Sequence, residues 1–182
     1  MIASAAIRIR PYEEADAGLL LAAARESSAD VHRWLPWCRP EYALDDARGF
    51  IAAQIPAFRH GHEYEHAIVS TREGHADRFL GGCGLNAIRR ERGIANLGYW
   101  VRTSERGRGV ATRAVQLLVA WARAHTTLRR IDALVAADNA ASLRVVEKAG
   151  GVRERLVPGG MKLHGVAHDV VVFTFSLTMT PP

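Results

Sequence analysis

The run Arg106-Gly107-Arg108-Gly109-Val110-Ala111 constrains this chain more than any other feature, because it joins a strand-like segment, Leu97 to Val101, to a long amphipathic pattern beginning near Gly107. Glycines at such a turn let backbone N–H groups approach an oxygen with no Cβ in the way, and the helix that follows adds partial positive charge at its N-terminus. A loop of this kind feeding a helix is a pyrophosphate cradle, so an anion is the first ligand to expect. Arginine and glycine clusters also make ordinary turns, and the local pattern alone leaves both readings open.

A chain of 182 residues with a 48% hydrophobic fraction is long and apolar enough for one domain with a sizeable core. The formal charge of +5 fits an anionic ligand without choosing between a phosphorylated cofactor, a nucleic acid and an acidic protein. Nearly all the positive charge is arginine, since Lys148 and Lys162 are the only lysines. Cys38 and Cys83 lie far apart with no C-x-x-C pair, which gives neither a disulfide framework nor a zinc knuckle and fits a reducing cytoplasm. Met1 to Ile9 is too short in apolar residues for a signal peptide, and no run reaches the roughly 18 apolar residues of a membrane span.

Along the chain, Ile7 to Arg10 reads as a strand closed by Pro11, and Glu13 to Ala24 carries a helical apolar face through Ala17, Leu20, Leu21 and Ala24. Trp34-Leu35-Pro36-Trp37 interrupts the pattern, and a second helix is expected from about Ala43 to Phe58, with Pro56 near its end. Tyr64 to Ser70, Phe79 to Ile88 and Ile94 to Val101 then read as an antiparallel meander. Val110, Ala114, Leu117, Leu118 and Trp121 recur at helical spacing as a core stripe, and Ile131 to Ala136 reads as a buried strand, so a parallel crossover is expected. Asp138 or Asn139 can cap a helix that stops at Gly150-Gly151, and final strands fit Val152 to Val157 and Val170 to Leu177. The sum is an α/β (α+β) architecture, a mixed sheet with helices on both faces.

These segments in this order resemble the GNAT superfamily of N-acetyltransferases, whose motif Q/R-x-x-G-x-G/A is met by Arg106, Gly109 and Ala111. Trp34-Leu35-Pro36-Trp37, Leu97-Gly98-Tyr99-Trp100, Asn139-Ala140-Ala141-Ser142 and Glu147-Lys148-Ala149-Gly150 are similar to its RimJ/RimL branch of ribosomal-protein N-terminal acetyltransferases. The resemblance runs from about Ile7 to Leu177, and residues 1–182 are read as a single acetyltransferase domain. It implies a central sheet of about seven strands with a splay between the fourth and fifth, where acetyl-CoA lies. By position, Trp100 and Val101 would contact pantetheine, Arg106, Gly107, Arg108, Gly109, Val110, Ala111 and Thr112 would hold the pyrophosphate, and Asn139 would touch the pantetheine arm. A plain helix cap is the other reading of Asn139.

The implied chemistry is direct attack of an amine on the thioester carbonyl, with no covalent enzyme intermediate and no metal. A backbone N–H near Trp100 or Val101 would stabilise the oxyanion, and Ser142 matches the family serine placed near the sulfur. Many relatives carry glutamate two residues before the glycine of the G-Y-W strand, but Asn96 stands there and cannot take a proton at neutral pH. Tyr99, Glu65 and His66 join Ser142 as catalytic candidates, with His168 and Asp169 as further possible bases, and Trp34, Trp37, Tyr99 and His168 are candidates to line the acceptor pocket. W-L-P-W reads equally well as a core anchor. His60, His62 and His66 match no zinc spacing, and no metal is expected.

An α-amine with pKa about 7.7–8.0 is neutral far more often at pH 7 than a lysine amine at about 10.4, a gap of roughly 2.5 units or about 3.4 kcal/mol. A weak base handicaps an α-amine less, so a protein N-terminus, ribosomal or other, is the expected acceptor. A homodimer is also expected. Three readings compete: a small amine such as an aminoglycoside, polyamine or amino sugar as acceptor; an RNA- or ribosome-binding module using Arg89, Arg90, Arg92, Arg106 and Arg108; and an acetyl-CoA sensor. Base-stacking aromatics are scarce in those arginine turns, so direct nucleic-acid binding is not expected.

Overall fold

The computed structural model describes residues 6–74 and 77–178. Its elements run β1 (Ile7–Pro11), α1 (Ala17–Val31), α2 (Leu44–Arg59), β2 (Tyr64–Ser70), β3 (Phe79–Arg89), β4 (Ile94–Val101), α3 (Val110–His125), β5 (Arg130–Ala136), α4 (Ala140–Lys148), β6 (Val152–Leu163) and β7 (Val166–Ser176). The strands form one seven-stranded sheet in the order β1-β2-β3-β4-β5-β7-β6. Neighbours pair antiparallel except β4 and β5, which are parallel and joined through α3.

Alternation along β4 divides its side chains between two cores. Ala95 and Leu97 join Val110, Ala114, Val115 and Leu118 of α3 on one face, whereas Trp100 joins Leu20, Ala24, Ala47 and Ile51 of α1 and α2 on the other. Of the stripe read on α3, Val110, Ala114 and Leu118 are buried and Trp121 packs against the core, whereas Leu117 is only partly buried and Val115 and Val119 take part instead. Tyr99 and Trp100 point to opposite faces, as adjacent strand residues must.

The parallel seam is short. Ile94, Ala95 and Asn96 pair with Arg130, Ile131 and Asp132, and there the pairing ends. Beyond it β4 stays with β3 as far as Val101, and β5 stays with β7 as far as Ala136, so the two strands splay apart with their facing edges unpaired. The closed end is pinned where the N–H groups of Arg129 and Arg130 donate to the Gly93 carbonyl at 2.7 and 3.1 Å.

Three expectations shift. The first helix starts as a single tight turn, Glu14–Asp16, and α1 then continues to Val31 rather than ending at Ala24. α2 runs to Arg59, one residue past the expected end at Phe58, with Pro56 inside it. The last two strands are longer than expected, because Pro158-Gly159-Gly160, which reads as a loop, is a bulge between Val157 and Met161. Gly159 takes φ +59 there, and its N–H donates to Asp169 Oδ1 at 2.9 Å.

Candidate active site

The splay opens into a cleft of about 530 Å³. Its walls are β4 from Leu97 to Val101, β5 from Ala133 to Ala136, the start of α3 and the first turns of α4. At the mouth the chain turns at 106–109 into α3, with Gly107 at φ +72 and Gly109 at φ +76, a region that L side chains rarely occupy. No atom lies within 4 Å of where a Cβ on either glycine would sit, so the requirement is conformational rather than steric.

The first bond of α3 is Arg113 N–H to the Gly109 carbonyl at 3.0 Å. Among the described residues, the amides of Gly107 to Thr112 therefore have no protein acceptor, and the first turn of α3 carries no acidic residue to fill that role. The arrangement suits an anion. Arg106 pairs with Asp30 at 2.9 Å, while Arg108 turns to Glu105 at 3.3 Å and lines a separate, smaller cavity instead of the cleft. Of Arg108, expected among the residues that hold the pyrophosphate, the side chain is turned away from the cleft and the amide remains in the turn.

α1 holds this turn from behind. Glu26 accepts from Arg102 and from the Ser104 N–H at 3.0 Å, Ser27 Oγ accepts from the Thr103 N–H at 3.0 Å, and Asp30 accepts from the Thr103 hydroxyl at 2.8 Å. Burial pushes the Glu26 carboxyl up, but the hydrogen bonds from Arg102 and Ser104 outweigh it and hold the group at about 2. Glu105, itself buried, receives Arg78 at 2.8 Å. Sequence reasoning missed all of these anchors, and it also missed Arg144 and Lys148 of α4 on the cleft wall.

Deeper in, Arg102 N–H donates to the Leu80 carbonyl at 2.8 Å, which fixes the alternation of β4. The backbone groups of Trp100 therefore face β3, and those of Tyr99 and Val101 face the open gap. This corrects Trp100 as a backbone donor toward the ligand. Its indole packs against Trp37 and Phe79 in the core under α1 and α2.

Across the gap, Tyr99 Oη lies 2.6 Å from Ser142 Oγ and 3.3 Å from the Ser142 carbonyl. Ser142 sits in the first turn of α4, where Asn139 caps the helix by accepting from the Ser142 N–H at 3.1 Å. The cap and a ligand contact are compatible, because the cap uses only Oδ1 and leaves the Asn139 amide nitrogen unused. Burial pushes the Tyr99 phenol up to about 12, partly offset by its hydrogen bond to Ser142.

The remaining candidates separate. Trp34 lines the cleft, with the Arg33 guanidinium 4.5 Å from its ring centroid, while Trp37 is a core anchor against Tyr42 and Trp100. His168 stands beside Trp34 and pairs with Asp138 at 3.3 Å, and Asp169 is used by the bulge. His66 is corrected as a base: it is 1% exposed on the α3 face, boxed by Phe58 and Trp121, and burial pulls it down to about 4. Glu65 lies on the other face of β2, where burial pushes it up to about 7 despite a hydrogen bond from Asn86. His60 and His62 stack on each other away from His66, and among the described residues no three potential metal ligands gather. Among the described residues no helix is long and apolar enough to cross a membrane.

This architecture is shared with known proteins. The chain is similar to Probable N-acetyltransferase YjcK of Bacillus subtilis (strain 168), 30% identical over 172 residues, covering 93% of each protein. Its fold is similar to a structure of RimL, the ribosomal L7/L12 alpha-N-protein acetyltransferase, in complex with coenzyme A, with TM-score 0.85 and 20% identity over 97% of this chain and 96% of that one. It is also similar to the Microcin C7 self immunity acetyltransferase MccE in complex with acetyl-CoA and AMP, with TM-score 0.82 and 17% identity over 93% and 92%. The family model of the acetyltransferase (GNAT) domain matches residues 6–152. With the splayed parallel pair, the glycine turn and that match in agreement, the chain belongs to the GNAT family of N-acetyltransferases.

Proposed function

We propose that this protein transfers the acetyl group of acetyl-CoA directly to the α-amine at the N-terminus of a polypeptide, in the cytoplasm. One observation carries the reading: a gap between parallel strands is bridged by the Tyr99–Ser142 contact and ends at a turn whose amides have no acceptor among the described residues. The amides of Gly107 to Thr112 would hold the diphosphate at the positive end of α3. The free backbone groups of Tyr99 and Val101 would meet the amides of the pantetheine arm, and the Asn139 amide nitrogen would reach the same arm from α4.

In this reading the amine nitrogen forms the new C–N bond while the C–S bond breaks. The Val101 or Tyr99 N–H faces the developing oxyanion, and a preorganised donor there is worth more than the same bond in water. Ser142 and Tyr99 face the departing sulfur. A phenol held at about 12 is roughly 3.5 units weaker as an acid than an ordinary thiol near 8.5. The pair therefore stabilises the thiolate by hydrogen bonding and does not give up a proton to it outright.

The α-amine is favoured because it is the amine most often neutral at pH 7. Thiol release is measured with acetyl-CoA and a panel of N-terminal peptides, an internal-lysine peptide, diamines and aminoglycosides. Acetylation of the peptide α-amine is expected. Preference for lysine or an aminoglycoside would reassign the acceptor, and absence of both turnover and calorimetric coenzyme A binding would overturn the reading.

A further inference from the structure

We infer that the carboxylate of Glu65 on β2 takes the proton from the acceptor amine, reached over glycines on β3 and β4; this rests on the acetyl-transfer reading above. Glu65, Gly84 and Gly98 stand opposite one another in a single row across β2, β3 and β4, on the face turned to α1 and α2. A Cβ on Gly84 would fall 2.1 Å from Glu65 Oε2, so the carboxylate lies over Gly84 and leans toward β4. Gly98 is next in the row and lines the cleft. Gly98 puts no side chain between the carboxylate and the gap, and the nearest group over it is Asn86 Nδ2, 3.7 Å from where a Cβ would sit.

Two amides steer the group. Asn96 Nδ2 donates to Asn86 Oδ1 at 2.9 Å, and Asn86 Nδ2 donates to Glu65 Oε1 at 3.4 Å. The β4 position that lacks a carboxylate thus supports one two strands away. The other acids near the cleft are engaged: Asp30 with Arg106, Glu105 with Arg78 and Arg108, and Asp138 with Arg33 and His168. Among the described residues Glu65 has no cationic partner, and Tyr12, just past the end of β1 and with its hydroxyl over neighbouring Gly82, is the polar group beside it. Glu63 is the charged neighbour on its own strand side. A carboxyl whose ordinary range is lifted toward neutrality by burial matches the working pH of a general base.

An ammonium entering the site gives its first proton to Glu65, directly or through one solvent molecule, and Glu65 passes it to bulk water. The neutral amine attacks the carbonyl carbon, and as the C–S bond breaks the second nitrogen proton ends on the sulfur.

The test compares the pH dependence of kcat/KM for the unmodified protein, Glu65→Gln and Asn86→Ala, with acetyl-CoA affinity measured by calorimetry. Glu65→Gln is expected to lower kcat roughly 100-fold, to remove the acid-side limb near neutrality and to leave acetyl-CoA affinity unchanged. Asn86→Ala keeps the carboxylate but loses a bond to its charged form, so its limb moves to higher pH with rate recovered above it. Unaltered profiles in both variants would overturn the assignment while leaving acetyl transfer intact. Absence of turnover in the unmodified protein would overturn the parent reading and this one with it.

Discussion

The phenol of Tyr99 reaches 2.6 Å from the hydroxyl of Ser142 across the gap between β4 and the element that follows β5. The two residues come from opposite walls of the splay, and each is held by separate means. Tyr99 is set by the register of β4 against β3, and Ser142 by the Asn139 cap. A sulfur placed between the strands would therefore meet two preorganised hydroxyls.

If the two hydroxyls act as one donor unit, Tyr99→Phe and Ser142→Ala should each slow turnover by about 10–100-fold. The double variant should be little slower than the worse single one. Steady-state kinetics on all three proteins checks this. Fully additive losses would mean independent roles, and coenzyme A affinity should be preserved throughout.

Gly109→Ala should weaken coenzyme A binding and destabilise the protein by about 1–2 kcal/mol, because φ +76 is forced on a residue with a Cβ while nothing nearby clashes with it. Gly49→Ala, in the exposed body of α2 with equally open space, should instead stabilise by roughly 0.5–1 kcal/mol. Thermal melts with and without ligand distinguish the two, and equal effects would refute the conformational account.

His66 links stability to acid. Its imidazole is held at about 4 by burial, against an ordinary 6.5, and its Nε2 has no partner among the described residues. A depressed folded value means the contribution is complete above pH 6.5 and drains away as pH falls toward 4, by as much as about 3 kcal/mol. Denaturant midpoints across that window should fall for the unmodified protein and stay flatter for His66→Phe.

Glu65 works with the opposite sign. Its folded value of about 7 exceeds the ordinary 4.5, so its contribution is complete below pH 4.5 and is lost as pH rises through 7. Glu65→Gln should therefore melt higher than the unmodified protein at pH 8 and gain nothing at pH 4. A lower melting temperature at pH 8 would show the carboxylate to be structural.

β2 and β4 were legible to the residue, because apolar runs bounded by polar turns leave strand ends little choice. The glycine turn and the Asn139 cap were legible for the same local reason. The end of α1 was not: Glu26, Ser27 and Asp30 look like a solvated helix terminus, yet they are spent on residues 102–106, some 75 positions away. Pro158-Gly159-Gly160 hid a bulge whose stability comes from Asp169 on the partner strand. Glu65 and His66 are both candidates from sequence; alternation requires them to face opposite sides, but only the packing of Trp121 and Phe58 shows which side is sealed.

The three-pair seam between β4 and β5 also bears on how this architecture can diversify. The slot is bounded largely by peptide groups and set by where strand pairing ends, so point substitutions leave its width nearly untouched. The linings from Trp34 and from Met161 and Leu163 on β6 are side chains and can be exchanged singly. Descendants of such a chain can change the guest at one doorway while the other keeps admitting the same donor.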